Sequence, residues 1–187
     1  MLNQTRTKNM VLASMLCAVG IIVPIISPIK IILEPASFTL ASHVALFIAM
    51  FISPYVGLSV AIGTTVGFFI GGFPIVVVLR ALSHVVFAII GAYILKIKPD
   101  IISSKYKSLI FGLIIAVIHG LCEVMVVTPF YFSNSLTSGY YSNGFTYAVI
   151  LLVGVGTVIH SMVDYIISVI IWNGVTNAKV VKTSTAK

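Results

Sequence analysis

At 187 residues, with 59% hydrophobic and only 8% charged residues, the chain is too apolar for a water-soluble globular domain, in which about 25% of residues are charged. Its net charge of +7 would suggest nucleic acid in a soluble protein. Here the cations flank apolar runs and act as a topology signal, so no nucleic-acid partner is expected. Cys17 and Cys122 both fall inside apolar runs, which argues against a disulfide framework or a thiolate metal cluster.

The expected architecture is an all-α membrane protein with six transmembrane helices in one bundle, a single domain over residues 1–187. A chain of this length has room for six spans of about 20 residues. The first, Met10–Ile26, follows Arg6 and Lys8 as a signal peptide would. No small-x-small cleavage site follows, and Pro24 and Pro28 close the run, so a retained helix is expected. The second and third, Leu40–Ile52 and Tyr55–Ile70, are short and separated only by Ser53 and Pro54; they could be one broken helix. The remaining spans are Ile75–Leu95, Ser108–Val127 and Tyr147–Trp172.

Charge decides between five and six. With six spans and a cytoplasmic N-terminus, Arg6, Lys8, Lys96, Lys98, Lys105, Lys107, Lys179, Lys182 and Lys187 lie inside and only Lys30 lies outside. Five spans would turn the lysines of 96–107 outward, against the positive-inside tendency. Both termini are then cytoplasmic. The outer side receives Ser27–Thr39 with Lys30 and Glu34, the turn Gly71–Pro74, and Thr128–Thr146. The last carries Phe130, Tyr131, Phe132, Tyr140, Tyr141 and Phe145 without a charge, and reads as an interfacial belt or as a lid.

Inside the spans, Arg80/His84, His119/Glu123 and His160/Asp164 stand at i,i+4 spacing, which puts each pair on one helix face. A charge at the bilayer centre costs roughly 2.5–3.5 kcal/mol on insertion scales, so such residues turn inward and usually function. Counting about 1.5 Å per residue places Arg80 and Glu123 about 7–8 Å below the outer surface and His84 and His119 about 13–14 Å below it. His43 enters at a shallow level, and His160 and Asp164 fall deeper, at about 20 and 26 Å. Arg80 and Glu123 can be an ion pair tying two helices together, or part of a ligand chamber lined by Arg80, His84, His119, Glu123 and His43. The readings are compatible, because a ligand can insert into such a pair. His160/Asp164 reads as a structural hydrogen bond or a helix lock. No HxxxH or HExxH spacing is present, so neither a metal nor a cofactor is expected.

Small residues recur every four positions at Gly63, Gly67 and Gly71, and at Gly112, Ala116 and Gly120. Weaker stripes, Ala13/Cys17 and Ser14/Ala18, mark the first span. Such stripes allow close helix packing, within the bundle or against a partner. There is no phosphate loop and no GxSxG, so an enzyme is not expected and any ATPase must be a separate chain.

A six-span basic protein with a small-residue stripe on its first helix and no ATPase resembles the substrate-binding (S) components of energy-coupling-factor (ECF) vitamin transporters. The strings EPASFTLASHV (Glu34–Val44), LRALSHVVFA (Leu79–Ala88) and VVTPFYF (Val126–Phe132) resemble the niacin-specific branch. The resemblance implies a bacterial cell membrane and docking on a separate transmembrane scaffold subunit with two ATPase subunits. In this family a first-helix AxxxA stripe docks that scaffold; Ala13, Ser14, Cys17 and Ala18 only approximate it here. Substrate would lie near the outer face, under the loop between spans one and two.

Nicotinate is a planar carboxylate with a basic ring nitrogen, and a guanidinium suits bidentate recognition of a carboxylate. Arg80 is the one arginine within a predicted span and is expected to take that role. His84, His119 or Glu123 would address the ring nitrogen, and Phe38, Phe73, Tyr131 or Tyr147 would stack on the ring. Two rivals remain: a proton-coupled secondary transporter that uses the His/acid pairs as a relay, and an intramembrane enzyme using His160 and Asp164. The topology is directly testable. Cysteines at positions 98 and 105 are expected to react with an impermeant thiol reagent from the cytoplasmic side, and labelling from outside would overturn six spans.

Overall fold

The computed structural model describes residues 2–33 and 36–177. Glu34, Lys179, Lys182 and Lys187, which entered the topology argument, lie outside the described residues. The chain runs through α1 (Leu2–Ile26), a hairpin of β1 (Lys30–Leu33) and β2 (Ala36–Thr39), α2 (Val44–Ile52), α3 (Pro54–Ile70), α4 (Ile75–Ile97), α5 (Lys105–Phe132) and α6 (Gly156–Asn177). A π-helical stretch, Thr146–Val155, leads into α6. It is a multi-pass membrane protein built of helices, with one small antiparallel hairpin in the register Lys30↔Thr39 that the sequence reading took for a loop.

Among the described residues, four segments are long and apolar enough to cross a bilayer: Arg6–Ile26, Ile75–Ile97, Lys105–Phe132 and Thr146–Asn177. Of the two short expected spans, the third is found within a residue of its expected bounds, while the second departs from the reading. α3 has 17 residues. α2 has nine, about 14 Å of helix against a hydrocarbon core of about 30 Å. It begins at Val44 because residues 40–43 form a turn, with Ala41 in the left-handed region (φ 66°).

Ser53 and Pro54 do not join α2 and α3 into a broken helix. Ser53 is extended, its Oγ accepts from the Val56 N–H (3.2 Å), and Pro54 opens α3, where its missing N–H is harmless. The chain folds back there, so that Gly57 lies against the Met50 backbone. Farther on, the α4–α5 connection is solvated; the Lys107 ammonium, hydrogen-bonded to Asp100, holds that carboxyl below the usual range.

The glycine stripes pack the bundle internally. A Cβ on Gly63 would collide with Cys17 Sγ, and one on Gly67 with Ile21, so α1 and α3 meet along this seam. Gly112 faces the ring of Tyr165, while Gly120 faces the Gly154 carbonyl, where a Cβ would sit at 2.9 Å. Phe47, Met50, Val60, Phe87, Ile115 and Tyr165 form the apolar core. Within it the Tyr165 hydroxyl is satisfied by Ser108 (2.7 Å). Because the obstacle at Gly120 is backbone, Gly120→Val should destabilise by about 1–3 kcal/mol, read as a lower thermal midpoint in detergent. Gly174→Val, where nothing lies near the added carbon, should leave the midpoint much closer to native.

Candidate functional site

The end of the bundle that carries the hairpin encloses a cavity of about 260 Å³. That is smaller than the roughly 300–1,000 Å³ of sites for drug-sized ligands and suits a molecule of one ring. Its polar wall comes from Arg80 and His84 on α4, Glu123 on α5, Thr157 and His160 on α6, and His43 before α2. Phe38, Phe68 and Phe73 supply the aromatic wall.

Glu123 organises one side, and its two oxygens do different things. Oε2 accepts from Arg80 Nη2 (2.6 Å), Arg80 Nε (3.0 Å) and Thr157 Oγ1 (2.8 Å). Oε1 faces His84 Nε2 and His119 Nε2, each at 3.4 Å. Arg80 and His84, expected as a pair on one helix, are thus joined through a third residue. Glu123 is 4% exposed and Arg80 18%, so the carboxylate is sealed while the guanidinium reaches the cavity.

Asp164 organises the other side. It is fully buried and accepts from the Ala41 N–H (2.8 Å), the His43 N–H (2.9 Å) and His43 Nδ1 (3.2 Å). Backbone without helical bonding survives at membrane depth only where protein satisfies its polar groups, and this carboxylate does so for the 40–43 turn. Ser42 Oγ reaches His160 Nε2 (3.0 Å) and His43 Nδ1 (3.2 Å).

The depth estimate for His160 and Asp164 therefore needs correction. They are not a separate layer, because the 40–43 turn bonds directly to both. In addition, Thr146–Val155 is π-helical. Its i→i+5 bonding uses more residues per turn, so a count at the α-helical rise overstated their depth.

All four histidines converge. His43 lies against the rings of His84 (4.9 Å between centroids), His119 (4.8 Å) and His160 (5.1 Å), and His84 lies 4.7 Å from His119. His119 is fully buried and stands behind the cavity wall rather than on it.

Tyr131 is not brought to the cavity. It packs against Phe132, Tyr141 and Phe145 under the 133–145 connection. Tyr147 is 42% exposed on the bundle exterior. Tyr140, expected only as part of the aromatic loop, is buried near enough to Arg80 and Glu123 to feel both charges, and burial pushes its phenol up. Ser42, Thr157 and Phe68 were not singled out in the sequence, although Ser42 adjoins His43 and Thr157 stands one helical turn before His160 and Ser161. Of the expected docking residues, Ala13 and Cys17 turn into α3, Ala13 joining the core and Cys17 Sγ lying 3.6 Å from the Ser59 carbonyl. Ser14 and Ala18 face outward.

A helical membrane bundle with a small, charged and aromatic chamber near one end has the form of a solute-binding transport protein. No family model matches the chain, and no solved structure does. It is 39% identical over 163 residues to the niacin transporter NiaX of Lactococcus lactis subsp. cremoris (strain MG1363), covering 87% of this chain and 72% of that protein. The chain belongs to that family, the niacin-type S components of ECF transporters.

The Asp164 clamp makes a prediction independent of any ligand. Asp164→Ala leaves two half-buried N–H groups without their acceptor, at up to about 1–3 kcal/mol each. Amide exchange at Ala41 and His43 should accelerate strongly in that variant, whereas Asp164→Asn, which keeps one acceptor, should spare one of the two amides.

Proposed function

We propose that this protein is the vitamin-binding subunit of an ECF-type uptake system in a bacterial cell membrane, and that its cargo is niacin as nicotinate. The observation that carries the reading is Arg80. Nε and Nη2 of its guanidinium grip a single oxygen of Glu123, and the residue borders a cavity sized for one ring. The outer edge of the fork remains for a ligand carboxylate, while Glu123 and Thr157 hold the group in place. The ring nitrogen faces the histidine wall formed by His43 and His84 with His119 behind it, and Phe38 and Phe73 flank the ring. The relative's activity as a niacin transporter supports the same cargo.

The remaining parts follow the family. A separate transmembrane scaffold and two ATPase subunits energise uptake, and the outward Ser14 and Ala18 on α1 form part of the docking face. The chain acts as one six-crossing domain with both termini cytoplasmic. The short α2 completes its crossing through the 40–43 turn, and the fold-back at Ser53–Pro54 supports counting α2 and α3 separately.

Calorimetric titration tests the site. Charge-assisted hydrogen bonds contribute roughly 1.5–3 kcal/mol each, so Arg80→Lys, which loses the fork, should weaken nicotinate binding about tenfold or more. Nicotinamide, lacking the charge, should bind the native protein poorly. An Arg80→Met/Glu123→Gln protein that folds and binds nicotinate with native affinity would reduce the pair to a structural bridge and remove Arg80 from the site. Liposomes test the partnership: uptake should require the scaffold and ATPases. Concentrative uptake by the chain alone, abolished by a protonophore, would indicate a proton-coupled transporter instead.

A further inference from the structure

Hydrogen bonding accounts for only part of the histidine cluster's geometry. His84 Nε2 makes a long hydrogen bond of 3.4 Å to Glu123 Oε1 and His119 Nε2 lies at the same distance from that oxygen, both beyond the 2.7–3.2 Å of ordinary N–H···O bonds. His119 Nε2 is buried without a hydrogen-bond partner among the described residues. Leaving a buried ring nitrogen unpaired costs roughly 1–3 kcal/mol. Yet 3.4 Å is about the edge of a tetrahedron whose centre is a metal with bonds of about 2.0–2.1 Å to nitrogen and oxygen.

The nitrogen of His43 completes the set, since ligand atoms of His43, His84 and His119 all lie within 4.8 Å of one another. Modest rotation about χ2, which is soft for histidine, closes that gap. The rings already stand edge to face, at 71°, 71° and 87°.

The outer groups fit as well. Histidines that bind metals usually engage their second nitrogen with a carboxylate or another acceptor, which fixes the tautomer and aims the first. His43 Nδ1 meets Asp164 Oδ2 and His119 Nδ1 meets Ser161 Oγ, both at 3.2 Å. Glu123 divides its oxygens accordingly, with Oε2 committed to Arg80 and Thr157 and Oε1 turned to the histidines.

We infer that His43, His84 and His119, with Glu123 Oε1, form a binding site for one divalent transition-metal ion of the zinc type, on the inner wall of the chamber. Three imidazoles and a carboxylate suit zinc and its first-row neighbours rather than calcium or magnesium. The absence of an HxxxH motif is no obstacle, because the ligands come from the turn before α2, from α4 and from α5. The site stands on this geometry and not on the identity of the cargo. If the cargo is an anion, as proposed above, the ion has an additional role. With neutral imidazoles, Glu123 and Asp164 outnumber Arg80, and an entering anion would deepen the excess of negative charge; a divalent ion cancels it.

The test uses the full chain, purified in detergent through a histidine-free tag, treated with a chelator and kept free of nicotinate. It is titrated with Zn²⁺ and, separately, with Co²⁺, whose tetrahedral complexes have intense visible bands. One zinc per chain by elemental analysis after gel filtration is expected, with a tetrahedral Co²⁺ spectrum that needs no variant to read. His84→Gln and His119→Gln should each lower zinc affinity by more than about tenfold, since even outer-shell losses cost about 10–100-fold. Failure of the native chain to retain stoichiometric zinc at micromolar concentrations overturns the proposal. So does unaltered zinc binding in both variants. Loss of zinc in His160→Gln but not in His84→Gln would move the ion to the alternative group His43, His160 and Asp164, and would also overturn it.

Discussion

The chamber depends on a carboxylate that is almost wholly buried. Glu123 sits inside an apolar bundle, where an isolated charge is strongly unfavourable. It is tolerated because α4 supplies a guanidinium and α6 a hydroxyl to the same oxygen. These contacts fix the rotation of three helices about one point. Stability is not the best account of such a pair, since well-packed apolar residues often do as well. Removing one partner is another matter, at roughly 3–5 kcal/mol for an uncompensated buried charge. What the arrangement achieves is position: a guanidinium anchored on one side and presented to the cavity on the other.

The second constraint is backbone hydrogen bonding. Because α2 is short, the chain before it enters the bundle without helical bonds, and Asp164 supplies acceptors for two of its N–H groups. The same descent carries His43 among the other histidines. It also brings the hairpin against α6, where a Cβ on Gly156 would lie 2.6 Å from Phe38 Cζ. A longer α2 would fill this end of the bundle with regular helix. The cavity thus lies where a short helix gives way to non-helical backbone, closed by carboxylate and glycine contacts that no local sequence preference supplies.

Much of this was legible in the residues. Apolar runs gave the long helices, Ser53–Pro54 gave a break, and the placement of Arg80, Glu123 and His84 inside apolar segments marked one polar region. The glycine stripes pointed to close packing, found at Gly63 against Cys17 and at Gly120 against Gly154. Less visible were the hairpin, whose KIIL strand reads as the end of an apolar run, and the π-helical stretch, which has no compositional mark. Tyr131 illustrates a different limit. Its aromatic character fitted a ring-stacking role equally well before its ring was found among those of Phe132, Tyr141 and Phe145.

By itself, the sequence determined that this protein lives in a membrane, because its composition can satisfy no other solvent, and that its few interior charges must face one another. Periodicity along one helix shows which residues share a face, so His119/Glu123 and His160/Asp164 could be paired on paper. It carries no information about which face meets which, how deep a non-helical turn descends, or which oxygen of Glu123 serves which partner. Those relations are set by backbone hydrogen bonding and packing between segments as far apart in the chain as Ala41 and Asp164. Only the tertiary structure decided that His43 stands against the rings of His84, His119 and His160 at once.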